Sequence, residues 1–244
     1  MKKSLLALSV ALAATALPTL ALADDGLAFN VGAVSDYRYR GISQSRLKPA
    51  LQGGVDFTQG GLYLGTWAST IKWIKDIPGG DAAIELDVYG GYKGEITKEI
   101  GYDVGVLAYV YPSNGLSPSA NTTEVYGALT YGPVTAKYSH ALTNTFANPA
   151  SKNSYYLDLS ATFDVGGFSV VPHIGYQKIT GPVGGMASYT DYAVTVSKDF
   201  SGFVPSLAVV GTDADKGFYV PGANANSTKF LGKTALVLGL KYNF

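Results

Sequence analysis

From Gly26 to the C-terminal Phe244 the chain reads as period-two segments, and the gaps between them alternate strictly between short and long. The segments run approximately over 26–40, 49–58, 61–70, 81–94, 100–111, 121–131, 134–141, 153–164, 168–178, 188–200, 203–211 and 229–244. The short gaps are Gln59-Gly60, Glu95 to Glu99, Gly132-Pro133, Val165-Gly166-Gly167 and Ser201-Gly202. The long gaps cover 41–48, 71–80, 112–120, 142–152, 179–187 and 212–228. A soluble sandwich has no need of this order. An up-and-down barrel in a bilayer does, with tight turns on one side of the membrane and longer loops on the other. About twelve strands, an even number, return both termini to the same side.

The last segment shows the period most clearly. Thr234, Leu236, Leu238, Leu240, Tyr242 and Phe244 share one face, while Lys233, Ala235, Val237, Gly239, Lys241 and Asn243 share the other. A helix would separate these residues less well. Ile84, Leu86, Val88 and Tyr92 oppose Glu85, Asp87, Tyr89 and Lys93 in the same way, and Tyr155, Leu157, Leu159, Ala161 and Phe163 oppose Tyr156, Asp158, Ser160, Thr162 and Asp164. The predicted fold is all-β: a closed antiparallel transmembrane β-barrel, an up-and-down meander of about twelve strands. Hydrocarbon offers no partner to a free N–H or C=O, so a sheet in a membrane must close on itself.

Composition separates this from the soluble alternative. Charged residues are 15% of the chain against about 25% in a typical soluble domain, while hydrophobic residues reach 47%, with 30 Gly and 18 Tyr among the 244 residues. A soluble sandwich or lipocalin-like barrel should display many charges on its open face, and here even the polar face is poor in charge and rich in Gly. A net charge of zero gives no electrostatic footprint for nucleic acid. The absence of Cys removes disulfides, Cys-based zinc sites and thiol nucleophiles.

Residues 1–23 read as a secretory signal peptide. Met1-Lys2-Lys3 is a basic start, Ser4 to Leu17 an apolar core too short to span a bilayer, and Ala21-Leu22-Ala23 a cleavage motif. Residues 24–244 then form one barrel domain in the outer membrane of a Gram-negative bacterium. Tyr37, Tyr39, Phe57, Tyr92, Tyr102, Tyr131, Phe163, Phe168, Tyr176, Tyr192, Phe200, Tyr242 and Phe244 lie near strand ends and are expected as interfacial girdles.

Several stretches carry a family resemblance. They are Ser35-Asp36-Tyr37-Arg38-Tyr39-Arg40-Gly41-Ile42-Ser43-Gln44, Pro49 to Phe57, Gly61-Leu62-Tyr63-Leu64-Gly65-Thr66-Trp67-Ala68-Ser69, and Glu85-Leu86-Asp87-Val88-Tyr89-Gly90-Gly91-Tyr92. Together they resemble the TorF-family porins of proteobacterial outer membranes, also called the Gcw_chp family. Members often carry Ser-Asn where this chain has Ser69-Thr70, a departure at a loop edge. The resemblance implies an outer-membrane barrel and, more loosely, a channel; it implies no catalytic residues. A last strand ending in Phe244 resembles the signal read by the barrel-assembly machinery, which makes that machinery an expected partner.

Alternation assigns a lumen-facing set. Its acids are Asp36, Asp56, Glu85, Asp87, Asp103, Glu124, Asp158, Asp164, Asp191 and Asp199; its bases are Arg38, Arg40, Lys93, Lys137, Lys233 and Lys241. The deeper pore-lining candidates are Arg38, Arg40, Asp87, Asp103, Lys137, Asp158 and Lys233. Such charges must be hydrated in a water-filled channel or joined in a network that plugs it. The excess of acids would favour cations modestly. Arg38 and Arg40, two apart, would both point inward, as a basic ladder or, preferably, in structural pairs with Asp36, Asp56 or Asp87.

The expected function is passive or weakly selective diffusion of small hydrophilic solutes, with no cofactor or metal. The alternative is a non-conducting surface-interaction protein, whose loop 71–80 would set Lys72 and Lys75 against lipopolysaccharide phosphates with Trp73 at the interface. An outer-membrane hydrolase is the remaining class. It would need Ser and His together, yet Ser139 and His140 fall on opposite faces, His173 lies among polar wall residues, and there is no G-x-S-x-G elbow.

Overall fold

A computed structural model describes residues 25–244; the leader expected over 1–23 lies outside the described residues. Twelve strands build one wall. They are β1 (Gly26–Val34), β2 (Ala50–Gln59), β3 (Leu62–Thr70), β4 (Ile84–Glu95), β5 (Ile100–Val110), β6 (Thr122–Tyr131) and β7 (Val134–Ala141). After these come β8 (Tyr155–Ala161, continued by Phe163–Val165), β9 (Phe168–Lys178), β10 (Tyr189–Ser197), β11 (Phe203–Thr212) and β12 (Ala235–Asn243). Each pairs antiparallel with its neighbour in sequence. β1 also pairs with β12, from Asn30 opposite Asn243 to Val34 opposite Gly239, which closes the cylinder. Phe244 extends the seam: its N–H donates to Phe29 O at 3.0 Å and its carbonyl accepts from Phe29 N at 2.9 Å.

The alternation of side chains sorts wall from lumen. Along β11, Val204, Ser206, Ala208 and Val210 are buried inside, whereas Phe203, Leu207 and Val209 are exposed outside. The outer surface carries Leu27, Leu51, Leu64, Leu236 and Leu238, each more than half exposed. Water would penalise that belt and hydrocarbon does not. Among the described residues no helix is long and apolar enough to cross a membrane.

Tyrosines on the inner wall lie flat across glycines of the adjoining strand. A Cβ on Gly65, Gly91, Gly105 or Gly175 would run into Tyr89, Tyr63, Tyr126 or Tyr156 respectively. Glycine at these positions therefore makes room for the rings on the inner wall.

Two strand boundaries differ from the periodicity by six residues, and the others fall within three. The first was expected over 26–40, but β1 stops at Val34, where Ser35 Oγ accepts from Leu238 N at 2.9 Å. The chain then leaves the wall and enters the lumen as a small hairpin, Arg38–Tyr39 against Ile42–Ser43. Its turn has positive φ at both central residues, Arg40 (+45°) and Gly41 (+78°), the two-residue geometry that suits strand twist. The last strand was expected from 229 and begins at Ala235.

The apolar core sits inside the barrel at the long-loop end. Val34, Ala50, Ala193, Ala208, Val210 and Val237 present small side chains from the wall, and Tyr37, Ile71, Ile74 and Tyr111 from the first three long loops pack onto them. This accounts for Tyr37 and Tyr39, expected in the interfacial girdle and found inside the lumen: the chain carrying them has already turned inward. Trp73, expected at the lipid interface, packs edge-on against Tyr111 at 5.4 Å over the mouth. The other girdle aromatics point outward, with Tyr131, Phe200 and Phe244 the most exposed.

Candidate functional site

The hairpin over residues 35–45 is the feature that positions charged groups in the lumen. Its base is tied by Asp36, whose Oδ1 accepts from Ser43 Oγ at 2.5 Å and whose Oδ2 accepts from Arg38 Nε at 2.6 Å. Arg38 Nη1 also donates to three carbonyls, Gly41 O (2.9 Å), Leu231 O (3.1 Å) and Lys233 O (3.1 Å), binding the hairpin to the loop before β12. Tyr37 Oη donates to Glu85 Oε1 on β4 at 2.6 Å, and Tyr39 Oη donates to Tyr109 Oη on β5 at 2.9 Å. Burial raises both phenols well above their ordinary range, so they stay protonated donors.

Arg40 at the tip spans the lumen. Its guanidinium meets Glu124 on β6 in a bidentate pair, Nη1 to Oε1 at 3.1 Å and Nη2 to Oε2 at 2.7 Å, with both side chains buried. The same group donates to Gln177 on β9 and sits between the rings of Tyr39 (4.8 Å) and Tyr156 on β8 (4.2 Å). Burial disfavours the charged guanidinium, but the Glu124 carboxylate outweighs it and holds the pKa above its ordinary value. The fork geometry of Arg suits this planar, stacked site, and an ammonium could not reproduce it.

Beside this layer His173 on β9 is held between two carboxylates. Nδ1 lies 3.0 Å from Asp158 Oδ2 and Nε2 lies 2.8 Å from Asp191 Oδ1. Tyr156 Oη donates to Asp191 Oδ2 at 2.9 Å. Toward the short-turn end, Tyr63 Oη donates to Asp103 Oδ1 at 2.6 Å and touches the Tyr126 hydroxyl, and Lys137 Nζ lies 3.9 Å over the Tyr126 ring. Tyr89 Oη donates to Asp56 Oδ1 at 2.6 Å.

The predicted lumen residues divide accordingly. Asp87, Asp103, Lys137 and Asp158 face inward from the wall. Arg38 and Arg40 face inward but not as a wall ladder, because the hairpin turn sends one back to Asp36 and the other across to Glu124. Lys233 is exposed in the loop before β12, and only its carbonyl takes part, as an acceptor for Arg38. Asp164, at the end of β8, and Asp199, before β11, cap short turns, accepting from Gly167 N (3.2 Å) and Gly202 N (2.7 Å). Glu124, Asp191, His173, Gln177 and Tyr156 form the centre of the network yet stood outside the deeper candidates. Alternation marks them as inward, and only the hairpin's path makes them partners. In the loop over β3–β4, Lys75 pairs with Asp81 at 3.3 Å and Lys72 is exposed.

A closed cylinder with an aliphatic outer belt, polar and charged inner groups, long loops at one end and tight turns beside both described termini is a bacterial outer-membrane β-barrel. The chain belongs to the Gcw_chp family, bacterial proteins of unknown function, whose pattern matches residues 21–244. Two solved porins share the fold. The KdgM porin, in complex with disordered oligogalacturonate, aligns at TM-score 0.55 and 10% identity over 89% of this chain and 98% of its own. The NanC porin aligns at TM-score 0.54 and 10% identity over 90% of this chain and 99% of its own. No curated protein matches the chain by sequence.

Proposed function

We propose that this protein is an outer-membrane channel for small hydrophilic solutes, narrowed at its long-loop end by the hairpin over residues 35–45. The observation that carries the reading is how the lumen is occupied. The wall keeps polar and charged groups facing inward along its length, with Asn30, Asp56, Lys137, Thr195 and Lys241 half-buried rather than sealed. At the loop end the polar-anchored hairpin takes up the space together with Ile71, Ile74 and Tyr111 of the two following long loops. Asp87, Asp103, Lys137 and Asp158 would line the path, and placement among the TorF-family porins is part of the same proposal. Porins of this fold, one of them solved with an oligosaccharide, support it.

Reconstitution into planar bilayers tests it. Wild-type protein should give discrete conductance steps. Replacing residues 36–45 with a Gly-Ser linker of equal length should raise unit conductance several-fold. Silent insertion of both proteins would overturn the channel reading and favour a non-conducting surface role, to which the packed loop end would then belong.

The channel reading includes the absence of catalysis. His173 Nε2 is engaged by Asp191 Oδ1 (2.8 Å) and Tyr156 Oη (3.1 Å) and its Nδ1 is buried 3.0 Å from Asp158 Oδ2, and His140, on the outer face, has its nitrogens turned to Tyr138 Oη (3.0 Å) and Asn153 Oδ1 (3.3 Å). Neither offers a serine a free basic nitrogen. Recognition by the assembly machinery is part of the proposal too, supported by the rings of Phe29, Tyr242 and Phe244, which stack at 5.7 Å around the seam. Contact with lipopolysaccharide is supported by exposed Lys48, Lys72, Lys152, Lys216, Lys229 and Lys233 on the long loops.

A further inference from the structure

We propose that the outer surface of β7, β8 and β9 at the long-loop end is a binding site for one phosphorylated glycolipid of the outer leaflet, a lipopolysaccharide held by its lipid A phosphates. The proposal rests on the lipopolysaccharide contact proposed for the long loops and assigns it to one sector of the barrel; it is independent of the channel reading.

The first observation is a gradient down the wall. His140, Tyr155 and Lys178 are direct partners across three adjacent strands, on the outward face. The next outward row is Tyr138, Leu157 and Tyr176, and the row below it is Ala136, Leu159 and Ile174. Descending from the loops, basic groups give way to phenols and then to aliphatics. A phosphorylated glycolipid has its phosphates, sugar rings and acyl chains in the same order.

The phenols also form one surface. The Tyr138 and Tyr155 ring centres are 5.8 Å apart, and those of Tyr155 and Tyr176 are 6.4 Å apart. Tyr138 Oη lies 3.0 Å from His140 Nδ1, and His140 Nε2 lies 3.3 Å from Asn153 Oδ1, which holds the loop before β8 against the patch. Along β1 to β6, β11 and β12 the outward positions at this end carry no aromatic and no charge among the described residues; Leu51, Ile84 and Leu236 are exposed there instead.

Charge singles out the same sector. Loops 142–154 and 179–188, which flank the patch, contain Lys152 and no Asp or Glu. Thr180 Oγ1 donates to Lys152 O at 2.9 Å, so the Lys152 backbone lies against the chain two residues beyond Lys178. The lysines of loops 71–83 and 213–234 share them with Asp76, Asp81, Asp213 and Asp215. Lysine stems lie along apolar surface while their ammonium groups reach the interface and attract anionic headgroups, and tyrosine rings favour that same level.

The test measures binding of bisphosphorylated lipid A to the purified barrel in detergent by native mass spectrometry, with heat-dependent gel migration confirming that each variant folds. Wild type should hold one lipid A, more tightly than phosphatidylglycerol. K152Q/K178Q should weaken the affinity about tenfold or more, as expected for two ammonium groups facing phosphate, and stripping the phosphates from the lipid should do the same to wild type. K216Q/K229Q, which removes equal charge from another long loop, should bind as wild type does. Wild-type affinity in K152Q/K178Q, or an equal loss in K216Q/K229Q, overturns this site while leaving general contact with lipopolysaccharide standing. Phosphatidylglycerol bound as tightly as lipid A overturns the assigned occupant. No lipid A bound by wild type overturns the contact and the site together, and the channel reading is decided separately by conductance.

Discussion

Replacing Gly175 with alanine puts a methyl group where the Tyr156 phenol lies. The new Cβ would overlap Tyr156 Oη and Cζ and stand 2.8 Å from Cε2. Gly175 is buried on β9 between β8 and β10, opposite Asp158 and Asp191, so the backbone has ladders on both sides and cannot retreat. The ring must therefore leave. Its hydrogen bond to the Asp191 carboxylate goes with it, worth about 1.5–3 kcal/mol for a charged acceptor. The stack on the Arg40 guanidinium goes too, worth about 0.5–2 kcal/mol. Alanine gains back about 0.5–1 kcal/mol over glycine within a strand. The balance is a destabilisation of about 3 kcal/mol. Equilibrium urea unfolding in lipid vesicles, followed by tryptophan emission, measures it. A double-mutant cycle identifies the cause: Y156F should cost about 2 kcal/mol in the wild-type background and almost nothing beside G175A. Additive costs would refute the claim that Gly175 exists to seat Tyr156.

Other outcomes follow from the same geometry. Gly41→Ala combines a φ of +78° with a Cβ that would stand 2.8 Å from Asp191 Cβ and overlap Thr212 Cγ2; the hairpin tip should leave the lumen, read as trypsin cleavage after Arg40 in folded protein that is uncut in wild type. Leu238→Arg, on the lipid face of β12, should cost about 2–4 kcal/mol in vesicle unfolding, whereas Thr195→Arg on the lumen face should cost far less; equal costs would reverse the assignment of faces. Removing Phe244 deletes both hydrogen bonds to Phe29 and the stacked rings at the seam, so the fraction of heat-modifiable barrel recovered from membranes should fall several-fold.

Much of the architecture is legible one strand at a time. Side-chain direction has a period of two, so each segment reveals its own lipid face without reference to its neighbours. That is why Leu236, Leu238 and Leu240 could be turned outward, and Asp87, Asp103 and Asp158 inward, from the letters alone. Gap lengths likewise state the meander, because antiparallel neighbours need only a turn. Arg38, Tyr37 and Tyr39 show where this logic stops. The inward hairpin has the same alternating letters as a wall strand, and Arg40-Gly41, its turn, looks like the start of an ordinary loop.

What the sequence determined by itself is thus the closed wall and its two faces, since burial against hydrocarbon is dictated residue by residue. What only the tertiary structure decided is the filling of the lumen. Arg40 finds Glu124 across a sequence separation of 84 residues, and Tyr156 lies over Gly175 because closure brings β8 against β9. A partner across a cylinder depends on strand stagger and loop path together, and no local period records either.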